Sequence, residues 1–348
     1  IQMAEVLMYG VELESRCMTN VAACEDTVSF LVGTQNMKLT NEICHVHLDG
    51  SRIAAKSRHH NQGEVRALAS DPKDERRFVT GASDYGKMAP AHSLNLFRIN
   101  DNEDKLEQIH STSVDNEVKS LEWHNQGHKM ATIINNKIEM SDIDRVFEPT
   151  WSLSPQGVST VAVWNPHSSG NALGVTIDRS VVTFDTRTKE EGHRIKEAHS
   201  LRATYVDFNP NLQHSVVSCG RDGLVRIWDW RHPSTHIFSL RAHAHWATQV
   251  HFHGVHDELL LSSGSDGSLL LSCAYSISSD AKESHDDDGE ERVILSDGPL
   301  ERIDEHEDSI YACAWSTSDP WTFASLSFDG RILISHVNRE HKYALMKL

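Results

Sequence analysis

The sequence predicts an all-β fold, a single seven-bladed β-propeller spanning residues 1–348. Three observations predict it. Units of similar pattern recur, with their first strands ending at Trp123, Trp164, Phe208 and Phe252, that is at intervals of 41, 44 and 44 residues. Within each unit Val, Ile, Phe and Trp alternate with polar residues over short runs broken by Gly, Asn, Asp and Pro, the signature of strands and turns. No long amphipathic helix interrupts them. One four-stranded unit cannot bury both of its faces, whereas a closed ring packs every sheet on two neighbours and leaves only short edges.

The elements follow in order. The first unit covers 9–49 and the second 63–99, with a longer approach to its third strand. "NEVKSLEWHNQGHKMATIINNKIEMSDI" (116–143) and "GVSTVAVWNPHSSGNALGVTIDRSVVTFDTR" (157–187) are the third and fourth. The last three, 197–231, 241–274 and 304–337, align most closely: each has a His, a strand ending at Phe208, Phe252 or Trp315, a polar turn, a strand of small residues, an Asp-Gly turn and an apolar strand. Phe252 and Trp315 stand 63 residues apart, and the excess coincides with the acidic segment "SISSDAKESHDDDGEERVILSDG", expected as a solvated loop (278–299) inserted in a late blade. "HKYALMKL" (341–348) is expected to be the last outer strand; whether Ile1–Met8 joins it to seal the ring is left open.

The recurring polar residues have a structural reading. Together with His199 upstream, "IWDW" (227–230) resembles the WD-repeat family, in which a His, a Ser or Thr, an Asp and a Trp form a buried hydrogen-bonded tetrad. The resemblance assigns His199, Ser218, Asp222 and Trp228 to one complete tetrad, and His243, Ser262, Asp266 and His306, Ser325, Asp329 to two three-membered ones, with Ser272 and Ser335 at the Trp position. The fourth unit keeps Asp178 and Phe184 but has Gly174 in place of the Ser, and the third has Asn135 in place of the Asp. A chain of His, Asp and Ser satisfies its own hydrogen bonds when buried. The same residue types compose a hydrolase triad, but three copies at the same offsets, without a nucleophile-elbow context, indicate a repeat. No catalytic residue is therefore assigned.

Composition and spacing limit other chemistries. The formal charge of −17 disfavours nucleic acid and anionic membranes as direct partners. Six cysteines (17, 24, 44, 219, 273 and 313) without a CxxC predict reduced, buried thiols of a cytosolic protein, with neither a disulfide framework nor a zinc site. No apolar run approaches the length of a membrane span. "RAHAHWATQVHFHGVHDE" (241–258) holds His243, His245, His251, His253 and His256, yet His243 is already engaged and no further ligand stands at metal spacing, so they are expected in turns and on the surface. Placing Gly289 at the sixth position of a calcium loop puts Ser284 first and Leu295 twelfth, and both fail as ligands. No metal or cofactor is expected. Ser284 with Asp287 forms a weak acid-directed phosphorylation pattern within the acidic segment.

"YGVELESR" (9–16), "FLVGTQ" (30–35), "DFNPN" (207–211), "SISS" (276–279) and "EHEDSIYACAWSTSDPWTFASLSFDGR" (305–331) resemble the WD-repeat proteins that interact with the EARP and GARP tethering complexes, a similarity that spans the chain and is weakest at 80–150. The resemblance implies a non-enzymatic, monomeric scaffold that binds subunits of these complexes and supports endosomal recycling, endosome-to-Golgi retrograde traffic and, in secretory cells, dense-core vesicle maturation. It implies a cytoplasmic protein peripherally associated with the trans-Golgi network and endosomes, without nucleic-acid partners or membrane insertion. Docking is expected around the channel mouth, at Arg202, Trp246, Ser309 and Tyr311 by the strand starts and at Arg221, Ser265 and Phe328 in the turns. The acidic residues Glu305, Glu307 and Asp308 lie beside Tyr311. Trp228-Asp229-Trp230-Arg231 resembles the WDxR motif of propellers that act as substrate receptors of cullin–RING ubiquitin ligases. A histone-binding propeller is a weaker third.

Overall fold

In the computed structural model, residues 6–37, 40–86, 89–100, 105–145, 147–168, 171–282 and 295–346 are described. They form seven four-stranded antiparallel sheets. The innermost strands, in ring order, are Ser15–Asn20, Glu64–Ser70, Val118–Trp123, Ser159–Trp164, Ala203–Phe208, Ala247–Phe252 and Ile310–Trp315, of blades 1 to 7. We call upper the face where inner strands begin and second strands turn into third strands.

Closure corrects one expectation. Residues 339–345 form a helix, Arg339–Leu345, and not the outer strand assigned to 341–348. The outer strand of blade 7 is Val6–Gly10, paired antiparallel with Arg331–His336 so that Val6 faces Ser335 and Gly10 faces Arg331. The chain's N-terminal strand thus completes the sheet of its last three. The helix has local causes: the Asn338 side chain accepts from the Glu340 amide, a Glu sits in the first turn, and "REHKYAL" lacks strand alternation. Buried Leu345 joins the blade 6–7 core, and Lys342 lies over the Trp321 ring at 5.1 Å.

The core lies between blades. Second strands such as Leu259–Gly264 and Thr322–Ser327 are buried along their whole length, because sheets cover both of their faces. The register corrects one assignment in the fourth unit: Leu173 pairs with Trp164 and Phe184 as Val216 pairs with Phe208 and Trp228, so Val175, and not Gly174, stands where blade 5 has Ser218. Gly174 lies on the opposite face of the sheet, where a Cβ would stand 2.7 Å from the Phe208 ring of blade 5.

Every inner strand carries an irregularity in register near its upper end. The residues set off by it are Arg16, Arg66, Lys119, Thr160 with Val161, Thr204, Thr248 and Tyr311. Such bulges re-aim a side chain without ending the strand.

Candidate docking face

The assigned polar residues of blade 5 come together. His199 Nδ1 lies 2.9 Å from Asp222 Oδ1, its Nε2 lies 2.9 Å from Ser218 Oγ, and Trp228 Nε1 donates to Ser218 Oγ at 3.0 Å. Burial opposes ionisation of Asp222, but the His199 hydrogen bond and the Ser200 and Leu224 amides hold its carboxyl well below the usual carboxylate range. Blade 6 is similar, with His243 3.2 Å from Asp266 Oδ1 and 3.1 Å from Ser262 Oγ, and with Ser268 as an added member at 3.1 Å.

Blade 7 corrects the third assignment. His306 meets Ser325 at 2.7 Å, but its Nδ1 meets Ser327 at 2.8 Å, and Ser327 donates to Asp329 at 2.5 Å. Asp329 thus reaches His306 through a hydroxyl. The hydroxyls of Ser272 and Ser335, at the Trp position, are buried without a hydrogen-bond partner among the described residues.

Sequence reasoning missed His60. It is buried in blade 2, with Nε2 3.0 Å from Thr80 Oγ1 and Nδ1 3.1 Å from the Gly63 carbonyl. Its distance to the hydroxyl residue is 20 positions where the other three blades have 19, so a search tolerating one insertion and Thr for Ser would find it.

The bulge residues divide the upper mouth into two halves. In blades 4, 5 and 6 they include threonines that stitch each blade to the next: Thr160 Oγ1 donates to Ala203 O at 3.3 Å, Thr204 to Ala247 O at 2.7 Å and Thr248 to Ile310 O at 2.8 Å. In blades 7, 1, 2 and 3 the position holds Tyr311, Arg16, Arg66 and Lys119. The Arg16 guanidinium lies 4.7 Å from the centres of both the Tyr311 and Phe328 rings, and Arg66 lies 5.4 Å from Tyr85.

The residues expected to bind a partner form one arc over blades 5 to 7. Arg221 lies 4.4 Å over the ring of Trp246, whose other neighbour is His245 at 4.9 Å. Ser265 Oγ holds His245 at 2.5 Å, and Ser309 Oγ donates to Ser265 O at 3.1 Å. Phe328 donates its amide to Ser309 O, and its ring meets Tyr311 edge-on at 5.9 Å. The carbonyl of Arg202 accepts from the Arg221 amide at 2.9 Å. Trp246 is 41 % exposed, unusual for a tryptophan. Of the acidic neighbours, Glu307 pairs with Arg331 at 3.1 Å, Asp308 accepts from the Ser309 amide at 2.6 Å, and Glu305 is exposed. Arg16, Arg66 and Lys119 extend this surface and were missed, because the N-terminal units align poorly until the bulges are superposed.

Below the mouth, a central channel of about 650 Å³ is lined by side chains including Glu122, Tyr205, Asp207 and His251. Burial, with the nearby Asp207 charge, pushes Glu122 up to about 8. Burial likewise pushes the thiols of Cys17, Cys219, Cys273 and Cys313 up to about 12, leaving them un-ionised at neutral pH. The histidines of the 241–258 run scatter: His245 packs on Trp246, His251 lies 3.7 Å from Asp207, His253 bonds Pro320 O at 2.6 Å, and His256 lies 3.4 Å from Glu258. Among the described residues no three His, Cys, Asp or Glu side chains group as a metal site would require.

On the lower face two sequence segments meet. Asn209 and Asn211 of "DFNPN" and Ser279 of "SISS" all donate to buried Asp257, at 2.8, 3.1 and 2.5 Å. Of the acidic segment, residues 283–294, with Ser284, Asp287 and Gly289, lie outside the described ones. Arg231 of the WDxR tetrapeptide is also on this face, paired with Asp229 at 2.5 Å and largely exposed.

Comparison with known proteins places this ring. The model of the EIPR1 beta-propeller matches residues 3–272, and that of the WD domain, G-beta repeat, matches 298–334. The chain belongs to the EIPR1 β-propeller family. It is 44% identical to EARP-interacting protein 1 of Caenorhabditis elegans over 99% of this chain and 100% of the relative. It is 30% identical to EARP and GARP complex-interacting protein 1 of Homo sapiens, over 98% of each chain. WD repeat-containing protein DWA2 of Arabidopsis thaliana is 30% identical over 94% of this chain and 95% of the relative. No helix among the described residues is long and apolar enough to cross a membrane.

Proposed function

We propose that this chain is a non-enzymatic adaptor that docks on the EARP and GARP tethering complexes in endosomal recycling and endosome-to-Golgi retrograde traffic, peripherally at the trans-Golgi network and endosomes. The observation that carries the reading is full-length similarity to a relative named for interacting with EARP, at 44% identity. The upper face supplies a physical means: an exposed Trp, paired Arg–aromatic contacts and four bulges that carry Tyr311, Arg16, Arg66 and Lys119 to the mouth, with Trp, Tyr and Arg the residue types enriched where binding energy concentrates. Arg202, Arg221, Trp246, Ser265, Ser309, Tyr311 and Phe328 form the contact arc in this reading, and the ring acts as a monomer.

Affinity purification of the tagged chain, followed by mass spectrometry, tests it. The expected result is recovery of tethering-complex subunits; recovery of a cullin adaptor without them would sink the proposal in favour of a ligase receptor. Within a positive result, Trp246→Ala with Arg221→Glu should lower recovery while leaving thermal unfolding nearly unchanged.

A further inference from the structure

The two halves of the upper mouth differ in charge as well as in shape. Arg16 and Lys119 line the mouth, Arg202 lies near Lys119, and the Arg202 carbonyl accepts from the amide of Arg221, in a chain of formal charge −17. Among the described residues no carboxylate lies within ion-pair distance of Arg16, Arg202 or Arg221, and Nε of Arg221 is buried without a hydrogen-bond partner. Lys119 Nζ bonds the amide oxygen of Asn136 at 3.2 Å and has no carboxylate within ion-pair distance among the described residues; burial opposes its charge, the more distant Glu117 carboxylate favours it, and nearby Arg202 opposes it. Arg66 differs, since Glu64 and Glu117 neutralise it at 3.0 and 3.3 Å. Unpaired like charges held at one mouth are unfavourable unless a counter-charge arrives. Outside them, the turns leading into the inner strands carry exposed carboxylates, among them Glu12, Glu14, Asp115 and Glu305.

We propose that this mouth receives a short acidic peptide segment of a protein partner, its carboxylates held by Arg16, Lys119, Arg202 and Arg221. The inference rests on the adaptor reading and deepens it by naming the chemistry the adaptor recognises. Bulges place Arg16 and Lys119 where blades 4 to 6 use threonines to bond their neighbours, so these blades give up that inter-blade stitch and present cations instead. The aromatic faces beneath Arg16 and Arg221 orient the guanidinium planes and leave their edges free to fork onto carboxylates. The outer ring of carboxylates selects for size. A strand of nucleic acid or an anionic bilayer would have to cross it, whereas a short peptide entering along the axis does not.

The test uses the purified chain and a short fluorescent peptide alternating Glu with Tyr, beside the same peptide with Gln for Glu. The Glu peptide should bind more tightly and weaken as salt rises. The double variant Arg16→Thr, Lys119→Thr should weaken it by about tenfold or more while circular dichroism and melting stay as in the parent. Equal binding of the two peptides would overturn the proposal. So would unchanged binding by the double variant, or stronger binding to a single-stranded oligonucleotide or to phosphoinositide vesicles. Purification of the same variant from cells separates the two claims. If the parent recovers tethering subunits and the variant does not, both stand. If both recover them equally, the peptide proposal fails alone; if the parent recovers none, the adaptor reading fails, and the peptide titration still decides the chemistry of the mouth.

Discussion

Blades 4 to 6 and blades 7, 1, 2 and 3 use the same irregularity for opposite ends. In the first group the bulge threonines close the ring, each hydroxyl bonding the first residue of the next inner strand. In the second, Tyr311, Arg16, Arg66 and Lys119 project long side chains into the mouth. A repeat fold lets one backbone position serve stability in some copies and recognition in others, because each blade needs only its neighbours to stay packed.

The comparison can be broken most strongly with acid. Burial lowers His60 in blade 2 and His306 in blade 7 to about 4, so both stay neutral in the folded ring while the unfolded chain takes up protons from about pH 6.5 downward. Stability should therefore fall as pH drops from about 6.5 towards 4, by up to ~1.4 kcal/mol per pH unit for each histidine. The contribution of Asp222 in blade 5, whose folded carboxyl is depressed, is present above its ordinary carboxylate range and is lost only at lower pH. Hydrogen exchange at pH 5 should thus show amides of blades 2 and 7 losing protection before those of blade 5; the reverse order would contradict the assignment of His60 and His306 as buried neutral groups.

Substitution within the His–Asp arrangements comes next. Asp222→Ala leaves His199 and two backbone amides without their acceptor and should cost ~1–3 kcal/mol in denaturant unfolding. Asp329→Ala should cost less, since His306 keeps both serine contacts. Equal losses would mean that Ser327 is no intermediary. Smaller again is Thr204→Val, which removes one inter-blade hydrogen bond at nearly constant volume and should cost ~0.5–1.5 kcal/mol. Smallest is Arg16→Thr, expected within about 0.5 kcal/mol of the parent because Arg16 is exposed and has no carboxylate partner among the described residues. A destabilisation by Arg16→Thr as large as that of Thr204→Val would erase the distinction between a stitched and an open half.

Much of this was legible beforehand, and unevenly. The C-terminal units show their His, Ser and Asp at constant offsets because a buried, self-satisfying network tolerates little change in residue type. His60 escaped notice because one added residue and a Thr for Ser keep the geometry while spoiling the pattern. Asp329 kept its offset but changed its role, since Ser327 offers a closer acceptor to His306 than the carboxylate does. The outer strand of blade 7 was misplaced because strand pairing is indifferent to separation along the chain. Val6–Gly10 pairs as readily with a strand more than 300 residues away as a local segment would, whereas 339–345 has an N-cap and helical spacing that a propeller template hides.

By itself the amino-acid sequence determined the number of blades, their all-β character and the buried polar groups that pin their turns. Those depend on local periodicity and on hydrogen bonds between residues a fixed distance apart. Only the tertiary structure decided how the ring closes, which residues its bulges turn into the mouth, and that Arg16, Lys119, Arg202 and Arg221 lie on one face of an acidic protein. These residues are spread over more than 200 positions of the chain, and only ring closure brings them to the same face.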